Sequence, residues 1–175
     1  MADSETNKNL ILEEVIQADR PILDRLLQNY LKEFSNFNHQ EKDASGRYPY
    51  PYLNYYWQDP DRHPYFFKQS GKICGFALVR KDRDPAFRNE TMELAEFYII
   101  DSHRRRGNGQ QVAVKLWDLF PSQWKVSIML KNQSAVQFWA KTISDYSEDK
   151  FELINNEEKD LITYVFFSRV YLAST

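Results

Sequence analysis

The stretch Phe97-Tyr-Ile-Ile-Asp-Ser-His-Arg-Arg-Arg-Gly-Asn-Gly-Gln-Gln111 carries the strongest signal in the sequence. An apolar strand runs into Arg104-Arg-Arg-Gly-Asn-Gly109, here called the arginine loop, and an amphipathic helix follows directly. The first turn of a helix has N–H groups without intrahelical acceptors and the positive end of the helix dipole. With glycines that let the backbone approach closely, the loop is typical of a phosphate or pyrophosphate site. The alternative is a tight strand-to-helix turn beside a solvated basic patch.

Two well-known phosphate-binding motifs do not match the arginine loop. The P-loop pattern Gly-x-x-x-x-Gly-Lys-[Ser/Thr] does not occur in the sequence. The dinucleotide pattern Gly-x-Gly-x-x-Gly would need its third glycine at the position of Val112. Both of these nucleotide-binding classes are therefore excluded.

Hydrophobic patterning outside the loop predicts a mixed α/β fold. Predicted strands span residues 10–16, 65–69, 73–80, 91–100, 124–130, 150–155 and 161–170, and predicted helices span 22–34, 52–58, 109–120 and 134–143. Ser70-Gly71 is a hairpin turn signal. Among the connections, only the strand, helix and strand over 91–130 form the pattern of a parallel crossover.

Composition limits the class of protein. The chain has 175 residues, 42% of them hydrophobic, which suits one domain over 9–175 preceded by a polar, disordered segment at 1–8. A net charge of −2 argues against binding to nucleic acid, and no apolar run is long enough to span a membrane. One cysteine and three scattered histidines predict neither a disulfide nor a metal site. The expected location is cytoplasmic.

Three segments resemble the GNAT (GCN5-related) N-acetyltransferase superfamily. Arg104–Gly109 fits its [Gln/Arg]-x-x-Gly-x-[Gly/Ala] pyrophosphate loop, Gly71–Val79 is similar to its second-to-third-strand region, and Asn132–Trp139 is similar to its later Asn-x-x-Ala-x-x-Phe segment. The resemblance covers about residues 8–170 in the family's order of elements. It implies a mixed, mostly antiparallel sheet flanked by helices on both faces.

The resemblance also implies acetyl-CoA as co-substrate. The backbone of Ile99 would pair with the pantetheine arm, as its counterpart does in the family, and Asn132 would lie beside that arm. A helix cap before Ser134 is the alternative role for Asn132. The residues expected to hold the pyrophosphate are Arg104, Arg105, Arg106, Gly107, Asn108, Gly109 and Gln110.

The expected chemistry is direct attack of an amine on the thioester carbonyl, which requires a base because a protonated amine cannot attack. Glu93 and Glu96 are the carboxylates in the relevant strand. Strand alternation directs them to opposite faces unless a bulge intervenes. Glu93 matches the position of a catalytic glutamate in some relatives, whereas Glu96 is nearer in sequence to the expected thioester. Glu96 is preferred, and both stay candidates.

The sequence departs from the family pattern at Trp139, where many members have a tyrosine that acts as general acid. An indole N–H donates hydrogen bonds but does not supply a proton near neutral pH. Tyr146 is the first candidate for a replacement acid. Otherwise the thiolate leaves unaided, which a thiol with a pKa near 8.5 can do.

Nine aromatic residues fall between positions 48 and 67 and are candidates to wall a pocket for a cationic amine. Packing of these rings onto the core is the alternative. The predicted function is N-acetylation of a small-molecule or peptide primary amine by a monomer or homodimer. A GNAT-like module that binds acyl-CoA without catalysis, as a sensor or interaction domain, is the alternative function.

Overall fold

The computed structural model describes residues 10–87 and 89–174. The predicted disordered segment 1–8 therefore lies outside the described residues. The described strands and helices follow the order that the sequence predicts as far as the last strand. The strands are Leu10–Glu14 (β1), Arg62–Gln69 (β2), Lys72–Asp82 (β3), Thr91–Ile99 (β4), Gln123–Met129 (β5), Phe151–Asn156 (β6) and Leu161–Phe167 (β7). The helices are Arg20–Asn38 (α1), Asn108–Leu119 (α2), Gln133–Ser147 (α3) and Arg169–Ser174 (α4).

The strands form one seven-stranded mixed sheet with the order β1-β2-β3-β4-β5-β7-β6. β4 pairs with β5 in parallel, as the crossover prediction requires, and the ladder joins Thr91–Glu93 to Gln123–Lys125. The pairs β1–β2, β5–β7 and β6–β7 are antiparallel. The predicted α/β fold class is confirmed.

The C-terminal segment differs from the prediction, which extended the last strand to residue 170. β7 ends at Phe167, and α4 follows it. The buried Ser168 explains the break, because its Oγ accepts a hydrogen bond from the Tyr171 N–H at 3.2 Å and so caps the new helix. The apolar residues Val170 and Leu172 resemble a strand in sequence, but both are exposed in α4.

The described chain divides into two compact units. The first comprises the described residues up to Leu78 together with Glu96–Ala113. In its core, Leu23, Leu27 and Leu31 form the apolar stripe that four-residue spacing predicts for α1. This stripe belongs to the same buried cluster as Phe66, Phe76, Leu78 and Tyr98 from β2, β3 and β4.

The second unit comprises Val79–Ala95 and the described residues from Val114 onward. Its core is built on Trp117, whose ring centroid lies 4.8 Å from that of Tyr146 and 4.9 Å from that of Phe166. The prediction of one domain over 9–175 stays a prediction. Among the described helices, none combines the length and apolar composition needed to cross a lipid bilayer.

Candidate functional site

The arginine loop turns β4 into α2 through two residues in the left-handed backbone region. Arg105 has φ 60° and Gly107 has φ 76°. The first bond of α2 runs from the Gln111 N–H to the Gly107 carbonyl at 3.2 Å. The N–H groups of Asn108 and Gly109 precede that bond, so no earlier turn of the helix supplies them with an acceptor. The loop therefore presents main-chain donors at the positive end of the α2 dipole.

The side chain of Asn108 closes the loop from inside. Asn108 is only 3% exposed, and its Nδ2 donates to the His103 carbonyl at 3.1 Å and to Oε1 of Gln69 at 3.4 Å. Its amide group is thus part of the structure of the loop. Because the side chain is occupied in this way, the ligand-binding role predicted for Asn108 can be performed only by its main-chain N–H.

The three arginines of the loop have different environments. Arg105 and Arg106 are exposed, whereas Arg104 folds back onto its own unit. Nε of Arg104 donates to the Ile99 carbonyl at 2.7 Å, and its guanidinium lies 5.3 Å from the Tyr98 ring centroid. The guanidinium also forms a 2.7 Å ion pair with Glu33 of α1. The side chain of Arg104 therefore fixes the start of the loop.

The backbone of Ile99 is directed away from β3. The next residue, Ile100, donates its N–H to the Cys74 carbonyl of β3 at 2.9 Å. Because successive residues of a strand direct their backbone groups to opposite edges, the Ile99 carbonyl is at the other edge of β4. This is the orientation that the predicted pairing with a pantetheine arm requires.

The carboxylate of Glu96 lies among tyrosine hydroxyls. Tyr30 of α1 and Tyr50 of the segment before the 3₁₀ helix Leu53–Trp57 both donate to it. Tyr56, which is only 3% exposed, lies beside Tyr50 and helps to raise the pKa of the Tyr50 hydroxyl. We call Glu96, Tyr30, Tyr50 and Tyr56 the Glu96 cluster. It joins a strand carboxylate to two tyrosines of the aromatic stretch and one of α1.

The tyrosines of the Glu96 cluster are held in their neutral form. Burial raises the pKa of Tyr50 and of Tyr30, and the charge of Glu96 raises both further. At neutral pH both hydroxyls therefore keep the protons that they donate to the carboxylate. The cluster can hold one negative charge in an aromatic setting, which suits an ammonium group.

Tyr98 makes the stability of the protein sensitive to alkali. Its hydroxyl donates to Glu33 at 3.1 Å, and burial, followed by the charge of Glu33, raises the pKa of Tyr98 to about 12. An unfolded tyrosine loses its proton near pH 10. Between about pH 10 and pH 12 the unfolded state releases a proton that the folded state keeps, so rising pH favours unfolding.

We therefore expect the free energy of unfolding to fall across that interval and to fall less steeply in Tyr98→Phe than in the wild type. Denaturant titrations at pH 8, 10 and 11 measure the two slopes, with pH 8 as the reference below the window. Parallel curves for the two proteins would contradict the prediction.

Glu93 has a different environment, in the second unit. Its Oε2 accepts from Arg80 at 2.5 Å and its Oε1 lies 3.3 Å from Nζ of Lys125. Lys125 also pairs with Asp82 at 2.5 Å. Both oxygens of Glu93 are thus engaged by cations, which is the arrangement of a structural ion-pair network. Its predicted catalytic role stays a prediction that this geometry does not favour.

Tyr146 lies in the core of the second unit and is 1% exposed. Its hydroxyl donates to Asp118 at 2.6 Å and accepts from the Arg169 N–H at 3.0 Å. Burial and the hydrogen bond to Asp118 raise the pKa of Tyr146 above its ordinary value. These contacts give the Tyr146 hydroxyl a structural role in the core of the second unit. Its role as general acid stays an untested prediction.

Asn132 caps α3, the alternative that its position before Ser134 indicates. Its Oδ1 accepts from the Ala135 N–H at 3.1 Å. The side chain is half-buried, and a second contact to a cofactor stays a prediction. Trp139, further along the same helix, is buried against Trp117 with ring centroids 6.2 Å apart.

Sequence reasoning missed Tyr30, Glu33 and Tyr98. Tyr30 falls at the spacing of the core leucines of α1, which by itself predicts only a packed apolar position. A buried phenol needs a hydrogen-bond partner for its hydroxyl, so a tyrosine at such a position indicates a polar neighbour in the fold. Glu33 and Tyr98 gave no separate signal, because their contacts form only when α1, β4 and the loop meet.

The chain matches a known protein family and a known fold. The family model described as "Acetyltransferase (GNAT) family" matches residues 23–143. No curated protein sequence matches the chain. An acetyltransferase from Thermus thermophilus has a similar structure, with a TM-score of 0.66, 18% identity, and coverage of 90% of this chain and 96% of that one.

Two further solved structures have the same fold. A ribosomal-protein-alanine N-acetyltransferase from Brucella melitensis has a TM-score of 0.60 at 15% identity, with 90% of this chain and 99% of that one covered. A Bacillus subtilis acetyltransferase in complex with CoA has a TM-score of 0.54 at 14% identity, with 91% and 99% covered. At these identities the similarity concerns the fold.

Proposed function

Because the chain belongs to the GNAT acetyltransferase family, we propose that it transfers the acetyl group of acetyl-CoA to a primary amine of a small molecule or peptide. The observation that carries this proposal is the Glu96 cluster. A carboxylate that accepts hydrogen bonds from Tyr30 and Tyr50 is situated in β4, shortly before Ile99 and the arginine loop. An anionic group beside the expected cofactor strand suits an amine acceptor.

The cofactor is assigned to the arginine loop. The main-chain donors of Asn108 and Gly109 would hold the pyrophosphate, and the exposed Arg105 and Arg106 add positive charge. Each such contact at a helix N-terminus contributes about 0.3–1 kcal/mol, so several together are needed. The solved B. subtilis acetyltransferase with CoA supports this choice of ligand class. The backbone of Ile99 would pair with the pantetheine arm.

Glu96 is the proposed general base. It takes a proton from the acceptor ammonium, directly or through a water molecule, and the neutral amine attacks the thioester carbonyl carbon. The new bond is C–N, the attacking nitrogen releases its second proton to solvent, the C–S bond breaks, and the electron pair leaves on the sulfur of CoA. Tyr30 and Tyr50 orient the carboxylate by their two hydrogen bonds.

No side chain is assigned as the general acid. The Tyr146 hydroxyl donates to Asp118 in the core of the second unit, which accounts for its proton without a catalytic role. A thiol with a pKa near 8.5 is an adequate leaving group without assistance. We therefore propose that CoA leaves as the thiolate and takes its proton from solvent.

The experiment that tests this function is thiol release from acetyl-CoA over a panel of primary amines that contains polyamines, aminoglycosides and peptides with free N-termini. Amine-dependent release with formation of the acetylated amine is the expected result. Tight CoA binding without turnover on any member of the panel would instead support the non-catalytic acyl-CoA-binding module.

The cofactor assignment predicts that Gly107→Val weakens CoA binding about tenfold while the fold persists. A β-branched residue is strained at φ 76°, and relief of that strain rotates the N–H groups at the start of α2. Among the described residues only Nε2 of Gln111, 3.8 Å away, is near the added Cβ, so packing is little disturbed. Calorimetric titration with CoA measures the change.

Gly71→Val is the matched control. Gly71 has φ 77°, and no atom of the described residues lies within 4 Å of its Cβ position. Both variants should therefore lose a similar amount of stability, about 1–2 kcal/mol, while only the change at Gly107 affects CoA affinity. Equal affinities for the two variants would remove the arginine loop from the cofactor site.

A further inference from the structure

One turn of α1 contacts both parts of the proposed site. Tyr30 and Glu33 are separated by three positions and so lie on the same side of the helix. Tyr30 donates to the carboxylate of Glu96, while Glu33 accepts from Arg104 at the start of the arginine loop. Residues of the acceptor side and of the cofactor side are thus held by neighbouring side chains of one rigid element.

Glu33 has both of its carboxylate oxygens occupied. Oε1 accepts from the Tyr98 hydroxyl at 3.1 Å, and Oε2 accepts from Nη2 of Arg104 at 2.7 Å. Tyr98 lies under the guanidinium, 5.3 Å from its central carbon, so the ring and the carboxylate define the position of Arg104 from two directions. Nη1 of Arg104 is 3.5 Å from the exposed Asp101, which adds a weaker contact.

The result of this arrangement is that Nε of Arg104 donates to the Ile99 carbonyl at 2.7 Å. A carbonyl oxygen has two lone pairs, so Arg104 occupies one and leaves the second available to another donor. The contact also connects the first residue of the loop to the strand that precedes it. The next residue, Arg105, has φ 60°, a left-handed conformation that is strained for a residue other than glycine.

We propose that Glu33 is a positioning residue for cofactor binding: it holds Arg104 against the Ile99 carbonyl and thereby fixes the arginine loop in the conformation that binds CoA. This inference rests on the proposed function, because it takes the loop and Ile99 as the cofactor site. Glu33 acts only through Arg104. Its loss should change affinity for the cofactor more than the rate of acetyl transfer.

The test is a double-mutant cycle of Glu33→Gln and Arg104→Lys, with direct titration of CoA as the readout. Glu33→Gln removes the charge of the ion pair and keeps the size of the side chain. Arg104→Lys keeps the positive charge but replaces the guanidinium fork with a single ammonium group, which cannot reach Glu33 and Ile99 in the same way. Because the Glu33–Arg104 ion pair is half-exposed, its contribution is modest, and we expect each change to raise the Kd of CoA about three- to fivefold.

The double variant should bind CoA about as well as the weaker single variant, because both changes break the same connection. In steady-state kinetics with an accepted amine, the KM of acetyl-CoA should rise in Glu33→Gln while kcat changes less than about twofold. Independent, multiplicative effects in the cycle would overturn the positioning role.

Asp24→Asn is the matched control on the same helix. Asp24 forms a 2.7 Å ion pair with Arg47 and takes no part in the contacts to β4 or the loop described above. It should leave the Kd of CoA unchanged. If Glu33→Gln and Asp24→Asn both bind CoA like the wild type, the inference is wrong; if the wild type itself does not bind CoA, the proposed function fails.

Discussion

Glu96→Gln should lower kcat at least about a hundredfold while CoA binding stays within twofold of the wild type. General-base assistance contributes about 10²–10⁴-fold to such reactions, and glutamine cannot accept the proton of an ammonium group. The amide keeps the shape of the side chain and can still accept from Tyr30 or Tyr50. Stopped assays of thiol release, with saturating acetyl-CoA and the best amine of the panel, measure the loss.

Glu93→Gln is the control for this prediction, because it makes the same chemical change three positions earlier in the same strand. It weakens the pairs with Arg80 and Lys125, so we expect a loss of about 2 kcal/mol in the free energy of unfolding and little change in kcat. A large fall in kcat for Glu93→Gln and none for Glu96→Gln would reverse the assignment of the base.

Gly75→Ala should destabilise the protein by about 3 kcal/mol, at the upper end of the range for overpacked cores. A Cβ at this position would overlap the Tyr98 carbonyl oxygen and lie 2.8 Å from Cδ2 of Phe67 and 3.2 Å from Cα of Ile99. Two of these three neighbours are backbone atoms of β4, which cannot rotate away. The strand must shift at the residue proposed to pair with the cofactor.

Denaturant unfolding at pH 7 measures the loss, and CoA titration of the folded fraction measures its consequence for binding. Gly46→Ala provides the comparison. Its φ of 78° makes any side chain there strained, but no atom of the described residues lies within 4 Å of the added Cβ. Gly46→Ala reports the cost of backbone strain without close contacts, and a loss for Gly75→Ala no larger than that cost would contradict the predicted overlap.

Most elements of the fold were predictable because their signals are local. The Ser70-Gly71 turn adopts the positive φ values, 51° and 77°, that its sequence indicates, and β2 and β3 flank it. The arginine loop likewise leads from strand to helix as its residues require. The last strand was predicted too long, because its apolar run continues through Val170 and Leu172 and conceals the buried cap at Ser168.

The candidate site was only partly predictable, since its side chains come from distant parts of the sequence. Alternation in β4 separated Glu93 from Glu96, but it did not identify the hydroxyl partners of Glu96. The aromatic stretch at 48–67 includes Tyr50 and Tyr56 as candidates to line a pocket, but it does not indicate which residue they contact. Tyr30 fitted the periodicity of a core position, and only tertiary contact distinguishes a phenol that donates to Glu96 from one that simply packs.

The contacts of Glu33 also affect when this region acquires its structure during synthesis. Glu33 is 65 positions from Tyr98 and 71 from Arg104, so α1 emerges from the ribosome long before its partners. Closure of such long loops is entropically costly and is compensated only when both ends are present. A nascent chain that pauses before position 104 would therefore hold α1 without the loop that Glu33 is proposed to position, and the proposed acetyl-CoA site would form only after that point.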